Sequence, residues 1–220
     1  MIDDVRNKFE HLVILDQEAG PNISDSNLLD RANKNMLDLC SLLFTYNERH
    51  KRLITELNPE NSSKVISSGW VRELLLTKKY NWIYNNTRDK IQSKYGDFVL
   101  FASSFGINEA KYIDNYKKSN LNNELKEVLK NQLFKYNMFI EWLTKNSKYF
   151  KFKLIIRPHA EENLVKWKKD TTNIPNVKIV YKYSITPWIL ASEGTLSLGS
   201  TVIHETILLE KKAGLINLRG

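Results

Sequence analysis

The chain has 220 residues, 42% of them hydrophobic and 26% charged, which is the range of an ordinary globular protein of one large domain or two small ones. With 8 glycines and 5 prolines the composition excludes a fibrous or disordered chain, and no apolar run approaches the roughly 18 residues that span a bilayer. The net charge of +8 calls for an anionic partner, but the lysine pairs 78–79, 117–118, 168–169 and 211–212 are interleaved with acids and no dense arginine cluster appears. That pattern fits a solvated surface or the anionic inner face of a membrane and speaks against nucleic acid.

The first predicted element is a short buried strand, Leu12 to Leu15, opening into the polar loop Asp16-Gln17-Glu18-Ala19-Gly20. A helix is predicted from Asp25 to Leu39, capped by Ser24 or Asp25, then a buried strand from Ser41 to Tyr46. Helix Glu48 to Leu57 stops at Asn58-Pro59. Strand Lys64 to Ser67 follows, then helices Trp70 to Leu76 and Asn81 to Tyr95, with Gly96 ending the last. A fresh strand, Phe98 to Ala102, leads into a long helix whose apolar face carries Leu121, Leu125, Val128, Leu129, Leu133, Tyr136, Ile140 and Leu143. The remainder reads as strand 152–156, helix 161–169, strand 177–181, helix 187–192, strand 195–198, helix 202–211 and strand 213–217.

Strands alternating with helices across short turns predict an α/β fold of two Rossmann-like halves with parallel sheets, residues 1–95 and 96–220. Both halves are short of strands, so the chain is expected to be truncated at both ends. The charged opening Met1 to Arg6 predicts no secretory signal. Cys40, the single cysteine, is read as a buried apolar residue, with the cytoplasm the expected compartment.

Ligands of open α/β sheets bind beyond the carboxyl ends of the strands, so the strand-end loops carry the candidate chemistry. In Leu198-Gly199-Ser200-Thr201, Gly199 permits close approach of a ligand to the backbone, and the helix start with its two hydroxyls favours an anion; a plain N-cap is the alternative. Glu205, one turn on, is placed to accept from a ribose, or is an exposed helix carboxylate. In Arg157-Pro158-His159, His159 can donate to a phosphate oxygen or protonate a leaving group, or simply cap the next helix, and Arg157 is either a second anion contact or a structural ion-pair partner. Asp16 and Glu18 flank a glutamine at a strand end, where a carboxylate can act as general base on an acceptor hydroxyl, or the turn merely solvates its acids. His11 and His50 read as surface residues. No Cys/His metal spacing, dinucleotide fingerprint, phosphate-binding P-loop or nucleophile elbow is present.

These loops, in this order, resemble the motifs of bacterial surface-carbohydrate biosynthesis proteins, GT-B-type glycosyltransferases of capsule and surface polysaccharide. More distantly they resemble Kdo transferases, polysialyltransferases and CDP-glycerol glycerophosphotransferases. Residues 155–159 are similar to the His-Pro motif, 197–201 with 204–205 and 208–214 to the small-residue loop, helix and following strand, and 16–20 to the acidic motif of the first half. Residues 94–100, running into Ser104-Phe105-Gly106, also fit. The resemblance covers most of the chain. It implies a donor nucleotide held on the C-terminal half by His159, Ser200 and Thr201, and Asp16 or Glu18 activating the acceptor. The implied donor is CMP- or CDP-linked, the acceptor a glycan or lipid-linked glycan at the inner membrane, and no cofactor or metal is required. Ala160 stands where the family has proline, and Gln17 and Ala19 depart from the acidic motif. The alternatives are a UDP-GlcNAc 2-epimerase-like enzyme and a non-catalytic nucleotide-sugar or glycan-binding module.

Overall fold

The computed structural model of the protein describes residues 10–16, 24–30, 32–106, 108 and 123–217. They fall into two compact units, Met1–Leu75 and Leu76–Gly220.

The first unit is built on a parallel three-stranded sheet, β1 (Val13–Leu15), β2 (Leu42–Thr45) and β3 (Val65–Ser67), in the order β1-β2-β3. The pairing register places Leu15 opposite Phe44 and Phe44 opposite Ile66. β1 is not the buried strand expected. Side chains alternate along it, so Ile14 packs against the core while Val13 and Leu15 face outward, each about half exposed. The single helix expected from Asp25 to Leu39 is two, α1 (Asp25–Asp30) and α2 (Lys34–Leu39). Asn33 divides them: its backbone is extended, and its side chain accepts from the Met36 amide at 3.0 Å, an N-cap that starts a new helix. Ser24 Oγ accepts from the Asn27 amide, as expected of a cap on α1.

α3 (Glu48–Leu57) begins at another asparagine cap, Asn47, and stops at Asn58 ahead of the 3-10 turn Pro59–Lys64; α4 (Val71–Leu75) closes the unit. Leu37, Leu43, Ile54, Val65 and Cys40 form the core, and Cys40 is as buried as its neighbours suggest.

The second unit is a parallel five-stranded sheet: β4 (Phe98–Ala102), β5 (Lys153–Arg157), β6 (Val177–Ile179), β7 (Gly194–Ser197) and β8 (Ala213–Leu215). The spatial order is β6-β5-β4-β7-β8, which numbered from the first strand is 3-2-1-4-5, the Rossmann order. Helices α5 (Asn85–Tyr95), α6 (Asn123–Asn146), α7 (Leu164–Thr171), α8 (Ile185–Ala191) and α9 (Val202–Leu208) complete it.

Alternation along β4 and β5 divides the core. Phe98, Leu100, Ala102 and Ile155 pack on one face with Ile91, Trp188 and Ile189. Phe101, Leu154 and Ile156 pack on the other with Tyr136, Phe139, Leu143 and Trp167. On α6 the buried side chains are Leu129, Tyr136, Phe139 and Leu143, whereas Val128 is half exposed; Phe139, absent from the predicted face, stacks on Phe101 at 4.4 Å. Leu121 lies outside the described residues.

The division between units lies ahead of α5, not after it as the sequence reading had it. The reason is packing: Tyr95 meets Phe98 and Trp188 at ring distances of 6.5 and 5.3 Å, and Ile91 joins the same cluster, so α5 is committed to the second sheet. Among the described residues no helix is long and apolar enough to cross a membrane.

Candidate functional site

In the second unit the chain runs β4, β5, β6 in one direction and then returns to the other side of β4 for β7 and β8. The order therefore reverses between β4 and β7, and the carboxyl ends of the strands at such a reversal are where open α/β sheets bind ligands. The loops after β4, β5 and β7 border this point.

Those loops are tied together by hydrogen bonds. The Ser103 amide donates to the Arg157 carbonyl at 3.0 Å, and Ser197 Oγ donates to the Ala102 carbonyl at 2.8 Å. Glu162 is the hub. Its carboxylate accepts from Ser103 Oγ at 2.6 and 2.7 Å, from the Phe105 amide at 2.8 Å and from Trp167 Nε1 at 2.7 Å. Beside it, Asn108 Nδ2 donates to the Asn163 carbonyl at 3.0 Å and the Asn163 amide donates to Asn108 Oδ1 at 2.7 Å, while Asn163 Oδ1 caps α7. Glu162 is 5% exposed, and burial lifts its carboxyl above the usual carboxylate range despite the three donors and the nearby His159.

This hub carries a prediction. Glu162→Gln keeps the shape but turns an amide N–H toward the Trp167 N–H, and is expected to cost about 1–3 kcal/mol. The pH dependence has a definite sign. A carboxyl with a raised folded-state pKa binds more protons folded than unfolded, so its contribution to stability is full below the unfolded value of 4.5 and is lost as pH rises through the folded value. Urea midpoints measured from acidic to neutral pH should show that decline in the natural protein and lack it in the variant; matching slopes in both would refute this account.

His159 projects from the β5 loop with half its side chain exposed. Its Nδ1 accepts weakly from the Glu161 amide at 3.4 Å and lies 3.8 Å from the Glu161 carboxylate. An imidazole accepting at Nδ1 carries its proton on Nε2, where it can donate to a ligand. Arg157 is half-buried, and its Nη2 donates to the Tyr183 carbonyl at 2.9 Å, so part of its guanidinium braces the loop after β6.

Gly199 adopts φ +129°, a conformation side-chain-bearing residues rarely take, with open space where a Cβ would lie. The amides of the following turn are not all idle. Ser200 N donates to Ser197 Oγ and Val202 N to Ser200 Oγ, both at 3.3 Å. These are long bonds to neutral hydroxyls, and an anionic oxygen would compete with them. Thr201 is exposed. Glu205 is 2% exposed, which overturns the exposed-carboxylate reading of it.

In the first unit, Asp16 follows β1 and is held by its amide, which donates to the Phe44 carbonyl at 3.0 Å. Its Oδ2 lies 3.9 Å from Nδ1 of His50, whose side chain is fully buried in the first turn of α3. His50 is thus no surface residue: the Asn47 cap begins α3 so that this position turns inward at the strand end. Glu18 lies outside the described residues. Among the described residues no group of three or more His, Cys, Asp or Glu is arranged to hold a metal ion.

Sequence reasoning missed Glu162, Ser103, Asn108, Trp167 and His50. A carboxylate following His159 by three positions, with small polar residues after β4, was the available signal; for His50 the asparagine cap was.

No family model matches the sequence, and no curated protein matches it. Solved structures do match in fold. UDP-GlcNAc 2-epimerase from Methanocaldococcus jannaschii, in complex with UDP-GlcNAc and UDP, aligns over 97% of this chain and 63% of its own at 15% identity, TM-score 0.57. The wall teichoic acid polymerase TagF aligns over 94% and 50% at 14% identity, TM-score 0.53. UDP-GlcNAc 2-epimerase from Neisseria meningitidis, bound to UDP-GlcNAc, aligns over 97% and 55% at 16% identity, TM-score 0.51. The chain thus spans less than two thirds of the length of each, and its fold is GT-B-like, with two parallel Rossmann-type sheets.

Proposed function

We propose that this chain belongs to an enzyme that transfers a sugar or glycerophosphoryl-type group from a nucleotide-activated donor, CMP- or CDP-linked, to a glycan acceptor of the bacterial surface. The observation that carries the reading is the cross-linked set of loops at the β4–β7 reversal, which presents His159 and the Gly199 turn at the ligand-binding end of a 3-2-1-4-5 sheet. In this proposal the donor phosphate takes the amides and hydroxyls of Ser200 and Thr201, His159 donates from Nε2, and Arg157 adds positive charge. Asp16 takes the proton of the acceptor hydroxyl, the acceptor oxygen bonds to the transferred group, and the bond to the nucleotide phosphate breaks. The charge left on the departing nucleotide is met by His159 and the turn. Glu18 remains the second candidate for the base. Acceptors at the inner face of the membrane suit the basic surface.

Titration calorimetry with CMP, CDP and UDP tests the donor class. Binding of a cytidine nucleotide is expected, weakened about tenfold or more in His159→Ala, a loss of about 1.4 kcal/mol; heat from none of the three nucleotides would overturn the reading. The second reading, a UDP-GlcNAc 2-epimerase-like activity, draws on the fold shared with the two epimerases. Consumption of UDP-GlcNAc with no acceptor present would select it. A nucleotide-sugar-binding module without catalysis would bind the donor and turn over neither substrate.

A further inference from the structure

A cavity lies in the same unit beside the edge strand β6. It has a volume of about 320 Å³. Four lysines line it: Lys90 and Lys94 one turn apart on α5, Lys168 on α7, and Lys182 in the loop after β6. The residues that line it include no aspartate or glutamate. Its lining also includes the aromatic Tyr183 and Trp188 and the buried Ile91 and Val180.

Two properties set this cavity apart from scattered surface lysines. Like charges at helical i,i+4 spacing repel, and Lys90 and Lys94 are joined around this cavity by Lys168 and Lys182 from other elements. Folding alone gains nothing from that gathering of one sign of charge. The loop carrying Lys182 is also braced: Trp188 Nε1 donates to the Lys182 carbonyl at 2.7 Å and Arg157 Nη2 to the Tyr183 carbonyl at 2.9 Å, which hold Tyr183 at φ +70°. Such a conformation persists in a tyrosine only where its surroundings determine it.

We propose that this cavity is a binding site for a phosphate-bearing ligand, separate from the donor site. Four lysines around one small volume supply charge to match a phosphate, and the aromatic rings beside them accept the organic part attached to it. The phosphate can come from a phospholipid headgroup or from a soluble phosphorylated molecule, and the test separates the two sources.

Lysine acetylation footprinting of the full chain by mass spectrometry reads each ammonium group directly. The probes are inorganic pyrophosphate and vesicles of phosphatidylcholine with phosphatidylglycerol, with pure phosphatidylcholine vesicles as the neutral control. Lys90, Lys94, Lys168 and Lys182 should be protected several-fold more than the exposed Lys148 and Lys151. Protection by pyrophosphate alone identifies a soluble ligand, and protection by the anionic vesicles alone a headgroup. Protection by neither probe, or equal protection of all six lysines, overturns the proposal. The variant with all four cavity lysines changed to Gln should lose at least about tenfold in affinity for the protecting probe, equivalent to about 1.4 kcal/mol. Its urea midpoint should hold, because these side chains are exposed. Unchanged affinity in a folded variant would equally overturn the assignment, whatever calorimetry finds for nucleotides at the other site.

Discussion

Asp16→Asn is expected to lower the rate of transfer by about 10²- to 10⁴-fold, the contribution of a positioned general base. The substitution preserves shape, and the Asp16 amide that bonds to the Phe44 carbonyl is backbone, so the strand end keeps its anchor. What changes is the ability to take a proton, together with the carboxylate facing the buried His50 imidazole 3.9 Å away. Donor binding belongs to the second unit in this scheme, so calorimetric affinity for the nucleotide should hold while turnover falls. A variant with natural turnover would remove Asp16 from the chemistry and move the assignment to Glu18.

Trp167→Ala should be the most destabilising of the single changes considered. The indole is completely buried on the α6–α7 side of the sheet, edge-on to Tyr136 at 4.8 Å and near Phe105 and Phe139 at 6.0 and 6.3 Å. Removing it costs about 3–5 kcal/mol in lost burial and cavity. A further cost of about 1–3 kcal/mol arises because Glu162, buried and bonded to Nε1, loses a donor. Trp167→Phe narrows the comparison, since it keeps a buried six-membered ring while deleting the N–H and the rest of the pyrrole ring; its loss should be smaller than that of the alanine variant and at least about 1–3 kcal/mol. Urea unfolding followed by circular dichroism would rank them. If the phenylalanine variant were as stable as the natural protein, the bond to Glu162 would have no net value; a loss below about 1 kcal/mol in the alanine variant would contradict the packing argument.

The layout of the second unit was largely legible because its strands are runs of one character. Phe98-Val99-Leu100-Phe101-Ala102 is apolar on both parities, as a central parallel strand covered by helices on two faces must be. Gly96 ends α5 at φ +66°, a conformation for which glycine is the natural residue. The first unit was less legible. Its edge strand β1 is short and half-exposed, and the helix break at Asn33 came from a side-chain cap inside a sequence whose apolar spacing runs straight through it. The domain division was misplaced because a glycine-marked strand start looks like a boundary, whereas α5 chooses its unit by aromatic contacts to Trp188, a residue far along the chain.

The candidate site shows the same contrast. Residues that present themselves to a ligand, such as His159 and Gly199, sit in loops with recognisable spacing. Residues that hold those loops in place do so across long gaps: Ser103 and Glu162 are 59 positions apart, and neither is marked as the other's partner by local sequence. His50 was read as exposed because its neighbours are polar, yet one inward-facing helical position needs no apolar flank.

The sheet order also bears on how the second unit assembles. Its central strand is bonded to one neighbour lying some fifty residues later and to another later still, with Ser197 reaching Ala102 across 95 positions. Closing the larger loop costs the most chain entropy, and contacts of such separation slow folding. The seam between β4 and β7 is therefore expected to be among the last parts of this sheet to close, and it borders the proposed donor site. Competence to capture the donor would then emerge at the end of maturation, making nucleotide capture a reporter of a finished sheet and leaving partly folded chains unable to sequester substrate.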